Sequence, residues 1–438
     1  MSTDTSDAST SGTNTLGTDS AEGTAPRPYA VVLRRARGLV MLGPAFAAAI
    51  AYVDPGNFAT NFVAGADLGY RLLWVVVAAN LLGMLVQVLA AKLGLATGQN
   101  LAELCRDHYR RPAVWCMWVQ AELVAMATDL AEVIGGAIAL ALLFDLPLTA
   151  GGVLITVFSF VLLAFEARGK RKFEALIAAS LACILAGFAW NMVRSGVRPA
   201  DFAGGLIPSL PDAQGLFIAG GIVGATVMPH VVHLHSDLAG RHARETTTPS
   251  DAGVGRRRLL WQVRLDVFVA LAFAGLANMA MLIVAAKMFH AGPLEIDTLE
   301  SIHAGFGTLL GSGAALAFAL ALLASGLAST SVGTYAGQVV MAGFLGRSLP
   351  LVLRRAITVA PALVVLAAGV DPTRALIWSQ LILSFGIPFV LIPLIGFTRD
   401  ARLMGPLVNT RTTTVLAAVL AGVVVLLNIF LVVTAFVP

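Results

Sequence analysis

The chain has 438 residues, of which 58% are hydrophobic and only 12% charged, and its mean hydropathy is +0.83. Soluble domains carry roughly a quarter charged residues, so composition excludes an ordinary soluble enzyme or binding module. The formal net charge of +4 does not point to nucleic acid, because the basic residues lie in short clusters between apolar stretches, and the three cysteines (Cys105, Cys116, Cys183) lack the paired spacing of a disulfide framework or a thiolate metal site.

Residues 1–36 are rich in Ser, Thr, Asp and Gly, which predicts a disordered tail, and no basic segment leads into a short apolar stretch with a cleavage site, which excludes a signal peptide. From residue 38 onward the pattern predicts an all-α integral membrane protein with eleven spans: 38–66, 72–96, 113–144, 149–166, 173–194, 213–239, 259–290, 311–345, 350–369, 373–398 and 411–436. Each reaches about the ~20 residues a bilayer requires, and the longer ones imply tilt or turns outside the membrane. With the N-terminus inside, alternating loops place 24 of the 29 Lys and Arg residues on the inner side and 5 on the outer. That asymmetry predicts a single multi-pass domain over 38–436 in the cell membrane, with the tail cytoplasmic and the C-terminus external.

The first span contains Asp54-Pro55-Gly56-Asn57. An ionisable group near the bilayer centre costs about 2.5–3.5 kcal/mol on insertion scales and therefore faces a cavity or a pathway. Pro55 removes a backbone donor and Gly56 tolerates unusual dihedrals, so the helix is expected to break beside the carboxylate and expose carbonyls as further cation ligands. A second break is predicted in the sixth span, Gly220-Gly221-Ile222-Val223-Gly224-Ala225-Thr226-Val227-Met228-Pro229-His230. The breaks lie five spans apart, an odd number, so two five-span halves would be inverted relative to one another. Interrupted helices in corresponding positions of inverted halves point to a transporter binding site. The eleventh span then lies outside the repeat.

Asp54 and Asn57 offer hard oxygens, as does the carbonyl near Ala225, while Met228 offers a soft sulfur. Magnesium and calcium select all-oxygen shells, whereas a thioether favours softer transition metals. The mixed set suits manganese or ferrous iron and admits cobalt, zinc and cadmium. Met228 reads either as a ligand or as a gap-filling core residue, and its place just before Pro229 favours the ligand.

Asp54-Pro55-Gly56-Asn57 and Ala225-Thr226-Val227-Met228-Pro229-His230 resemble the signature pair of the Nramp family of divalent metal transporters. Ala121-Glu122-Leu123-Val124-Ala125-Met126-Ala127-Thr128-Asp129-Leu130-Ala131-Glu132 is similar to that family's third span, and Gly333-Thr334-Tyr335-Ala336-Gly337-Gln338-Val339-Val340-Met341 to its eighth. The resemblance covers nearly everything after residue 38. It implies a LeuT-type inverted repeat, spans 1–5 against 6–10, and proton-coupled import of manganese or iron by alternating access. Asp54, Asn57, Met228 and the Ala225 carbonyl match the family's metal positions, and Gln380 in the tenth span is a further candidate. Val231 stands where the family commonly has Asn and His233 where it commonly has Tyr, neither of them a metal position.

Asp129 and Glu132, three apart in the third span, can both face the bundle interior, where such acids mark proton relays or ion pairs. Arg354 and Arg355 read either as a positive-inside flank or as their partners, and the family's network of third-span acids and ninth-span arginines favours the second reading. His230, His233 and His235 lack the Glu of a zinc-hydrolase helix. Proton handling suits His230 better, since imidazole titrates near neutrality, and the resemblance implies the same for His230 and His235. Glu295, Asp297, Glu300 and His303 read as a solvated acidic outer loop.

A sodium-coupled amino-acid transporter shares the broken-helix architecture, but Asp54 at the break would repel a substrate carboxylate. A metal-sensing receptor needs a soluble output domain, and the chain stops two residues after its last span. No cofactor, catalytic residue, nucleic acid or obligate protein partner is expected; the partners are the metal ion, protons and lipid.

Overall fold

Asp54 stops one helix and starts another. It caps helix α1 (Pro55–Leu68), its side chain accepting the Asn57 amide, and Pro55 fills the first helical position, where no N–H is required. The stretch before it turns at Tyr52 and Val53, whose freed carbonyls accept from Asn278 Nδ2 and Ser325 Oγ. Neighbouring side chains thus replace the lost helical bonds, which permits irregular backbone at membrane depth. The computed structural model describes residues 49–166, 170–209, 212–246, 252–290, 292 and 296–436. The expected tail, 1–36, and the start of the first span, 38–48, lie outside these residues.

After α1 come α2 (Leu73–Thr97), a short α3 (Leu101–His108), α4 (Arg111–Phe144), α5 (Leu148–Glu166) and α6 (Lys170–Arg194). The second interruption separates α7 (Ala213–Thr226) from α8 (Pro229–Thr246), and Pro229 again starts the new helix. The remainder is α9 (Ala252–Phe289), α10 (Leu299–Leu310), α11 (Ser312–Leu345), α12 (Leu351–Ala367), α13 (Pro372–Thr398) and α14 (Arg411–Phe436). No strand occurs among the described residues. Seven helical stretches, with Ala213–Arg244 taken as one, are long and apolar enough to cross a membrane among the described residues. The other expected spans are the broken first one, the apolar segments Leu148–Val161 and Ala182–Arg194, and the 17-residue α12.

The halves of the broken spans pack against different neighbours. Helix α1 lies along α9, α8 along α2, and α7 along α13, while α4 and α11 form the most extensive contact. Helix α14 packs mainly on α13 and leaves Val415, Val419, Leu426 and Val433 exposed.

The outer acidic segment departs from expectation. Asp297 is exposed in a loop as expected, but the rest is helical: Thr298 caps α10, which contains Glu300 and His303, and Glu300 is only partly exposed. Burial, reinforced by the neighbouring Asp371 and Asp297, pushes the Glu300 carboxyl above its usual range. The structure has a capped amphipathic helix there because Leu299, Ile302 and Phe306 bury one face. Glu295 lies outside the described residues.

Candidate functional site

Both interruptions meet at Asn57. Its Nδ2 donates to Asp54 Oδ1 at 2.7 Å and to the Ala225 carbonyl at 3.1 Å, so one carboxamide joins the start of α1 to the end of α7. Ala225 and Met228 are fully buried at the second break, where the backbone leaves the helix at Val227. From α13, Gln380 closes the arrangement: a methyl group at Gly56 would collide with its carboxamide, and one at Gly224 would collide with its carbonyl. Glycine at these two positions is what lets α13 approach both breaks.

The polar inventory here is unbalanced. Asp54 Oδ2, Asn57 Oδ1 and Gln380 Oε1 are buried without a hydrogen-bond partner among the described residues. Leaving one buried polar group unpaired costs roughly 1–3 kcal/mol, so three on neighbouring side chains are a substantial liability unless a ligand engages them. All three are oxygens. Their chemistry fits a cation, and Asp54 is the one acid in the two break motifs; among the described residues no group of three His, Cys, Asp or Glu side chains could hold a metal.

A second buried constellation joins α4 to α12. Arg355 pairs with Asp129 and, at 3.3 Å, with Glu132, so the two acids do share one interior face and one partner. The expectation for Arg354 needs correction. It pairs with neither of them but with Glu122, at 3.0 Å. Glu122 lies two helical turns before Asp129, on the same face, and that spacing was the available signal. Helix α11 makes room for the charges: a methyl group at Gly337 would strike the Arg354 guanidinium, and one at Gly333 would stand 2.8 Å from Glu132 Oε1.

The three histidines of α8 do not form a cluster around one ligand. His230 Nδ1 lies 3.4 Å from Thr128 Oγ1, in the turn that carries Asp129. His235 Nδ1 instead meets Gln87 Oε1 at 2.8 Å, and Gln87 Nε2 donates to the Tyr52 hydroxyl at 2.7 Å. That chain reaches the backbone just before Asp54, and Gln87 and Tyr52 were not singled out in the sequence. The His233 ring packs edge-on against Phe344 at 5.5 Å, with its backbone carbonyl accepting from Ser236.

A family model described as natural resistance-associated macrophage protein-like, Nramp, matches residues 45–434. The chain belongs to the Nramp family. It is 50% identical over 403 residues to a divalent metal cation transporter MntH of Granulibacter bethesdensis, covering 91% of this chain and 89% of that one. It is 48% identical over 397 residues to the MntH of Klebsiella pneumoniae, covering 90% and 94%. Crystal structures of a manganese transporter of Eremococcus coleocola superpose with a TM-score of 0.79 at 32% identity, over 88% of this chain and 85% of that one. Mhp1, a nucleobase-cation-symport-1 family transporter, shares the fold at a TM-score of 0.57 and 15% identity, covering 89% of each chain. The LeuT-type inverted repeat that the resemblance implies is therefore the architecture of this Nramp protein, which is a multi-pass membrane protein.

Both family departures fall on α8. Val231 is fully buried, and the His233 ring packs against Phe344 of α11.

Proposed function

We propose that this Nramp protein carries divalent transition metal ions, manganese(II) and ferrous iron foremost, into the cell together with protons, by alternating access. Cadmium, cobalt and zinc fit the same ligand set. The protein is a transporter, not an enzyme, and the metal is its substrate. The observation that carries this reading is that three neighbouring side chains at the paired helix breaks, Asp54, Asn57 and Gln380, each bury an unpartnered oxygen. Asp54 supplies the one formal charge, Asn57, Gln380 and the Ala225 carbonyl supply neutral oxygens, and Met228 supplies the soft donor that disfavours calcium and magnesium. Asn57 links the breaks by a hydrogen bond; an ion sharing Asp54 and the Ala225 carbonyl would replace that link.

Protons take the α4–α12 route in this proposal. A divalent ion beside Asp54 displaces a proton held there, and Asp129 receives it, with Glu132, His230 and Arg355 tuning its charge balance and Arg354 and His235 bordering the route. Neither a cofactor nor a protein partner enters the cycle. The single domain over 38–436 sits in the plasma membrane, with the 1–36 tail cytoplasmic and the C-terminus external, as the Lys and Arg bias supports.

The test is uptake by purified protein in liposomes, with membrane potential and pH gradient imposed separately. Saturable manganese(II) uptake, accompanied by proton influx, is expected. Uptake of manganese(II) no faster than in empty liposomes overturns the reading.

A further inference from the structure

Helix α14 is apolar and largely exposed, yet it carries one buried polar residue, Asn428. Its carboxamide makes two bonds to a single residue of α13. Nδ2 donates to the Ser384 carbonyl at 2.9 Å, and Oδ1 accepts from Ser384 Oγ at 2.9 Å. The reason for the first bond lies four residues on. The helical donor for the Ser384 carbonyl would be the amide of residue 388, and that residue is Pro388, which has none. Asn428 supplies the missing donor from another helix, as membrane helices require where proline interrupts the ladder.

The repaired turn is the one that reaches the metal site. Ser384 lies one helical turn beyond Gln380, and a methyl group at Gly224, next to Ala225, would stand 2.8 Å from the Ser384 amide nitrogen and collide with the Gln380 carbonyl. Two residues further, a methyl group at Gly386 would stand 3.1 Å from the Pro229 ring. The segment therefore touches the second break at Gln380, Ser384 and Gly386, with Gln120 and Val124 of α4 also against Gly386, and its proline-weakened point is clasped by Asn428 of α14.

We infer that Asn428 is a positioning residue for metal recognition: it closes the carbonyl orphaned by Pro388 and so fixes the α13 turn that presents Gln380. The eleventh span, outside the inverted repeat, acts as a splint for the tenth. This inference rests on the proposed transport of metal through the Gln380 site and adds a residue that touches no ion.

The experiment is a two-residue cycle in liposomes, reading manganese(II) uptake as KM and kcat separately. Asn428→Leu leaves the Ser384 carbonyl unpaired and should raise KM for manganese(II) roughly tenfold, within the range by which residues remote from a ligand shift its binding. Pro388→Ala restores an amide able to serve that carbonyl within α13, so Asn428→Leu in the Pro388→Ala background should change KM by less than about twofold. A purely structural role for Asn428 would give the same loss in both backgrounds and overturns the inference, as does a wild-type KM in Asn428→Leu. Should Asn428→Leu fail to fold alone, recovery of a folded, transporting protein in the double variant supports it, and failure of both overturns it. Absence of uptake by the wild-type protein is a different result, since that removes the transport reading itself.

Discussion

The Asn57 carboxamide donates to the Ala225 carbonyl at 3.1 Å across 168 residues of sequence, holding the two interrupted helices together with one side chain. The same nitrogen also donates to Asp54, so the acid, the amide and the carbonyl form a single unit. Removing any of them disturbs the other two.

Asp54→Asn is expected to abolish saturable manganese(II) uptake while the protein still purifies as a folded species. The substitution keeps the cap, because the new side-chain oxygen can still accept the Asn57 amide. It removes the one formal charge of the ligand set, and at least a hundredfold rise in KM, about 2.7 kcal/mol, should follow. Transport at wild-type affinity would show that Asp54 is not a ligand.

Met228→Ala should alter selectivity more than affinity. The remaining ligands are all oxygens, and oxygen-only sets accept calcium and magnesium. Competition of calcium with manganese(II) uptake should become measurable, with manganese itself still carried. If the cadmium-to-calcium uptake ratio is unchanged, the thioether serves only packing.

Asp129→Asn should uncouple the two fluxes. Arg355 keeps the Glu132 carboxyl at 3.3 Å in this variant, so its guanidinium is not left without a partner and folding should survive. Metal binding and voltage-driven manganese(II) uptake should persist, while proton influx stimulated by metal is lost. Simultaneous recording of both fluxes decides; intact coupling would eliminate Asp129 and direct attention to His230.

Gly337→Ala tests the ion pair that the sequence did not disclose. A methyl group there displaces the Arg354 guanidinium and leaves Glu122 without its partner. Breaking a buried pair costs on the order of 3–5 kcal/mol, so detergent-purified protein should unfold at a visibly lower temperature. An unchanged melting profile would mean that Arg354 has another place to go.

What the sequence disclosed follows from which interactions are local. The positions of the spans follow from runs of apolar residues, and the breaks from Pro55 and Pro229, because proline acts on its own helix. Asp129, Glu132 and Arg355 were legible as intramembrane charges, but the exchange of partners that pairs Arg354 with Glu122 is decided by helix packing between residues 232 positions apart. Gln87, Tyr52 and Asn428 escaped notice for the same reason. Each is a single polar residue whose partner lies on another helix, and no local pattern in the sequence names that partner. The outer helix α10 is masked in the sequence because its acidic residues alternate with the apolar face of Leu299, Ile302 and Phe306.

The ligand set proposed around Asp54 carries a single formal negative charge, and this bears on residence time. Calcium sites tuned for nanomolar retention gather several carboxylates, and their affinity falls as that number falls. One carboxylate with neutral oxygens and a thioether gives a grip closer to micromolar. At an association rate of roughly 10⁸ M⁻¹s⁻¹, a micromolar site empties in about 10 ms. A storage protein would gain from further acids at these helix breaks; a carrier that had them would hold its ion too long to release it on the far side.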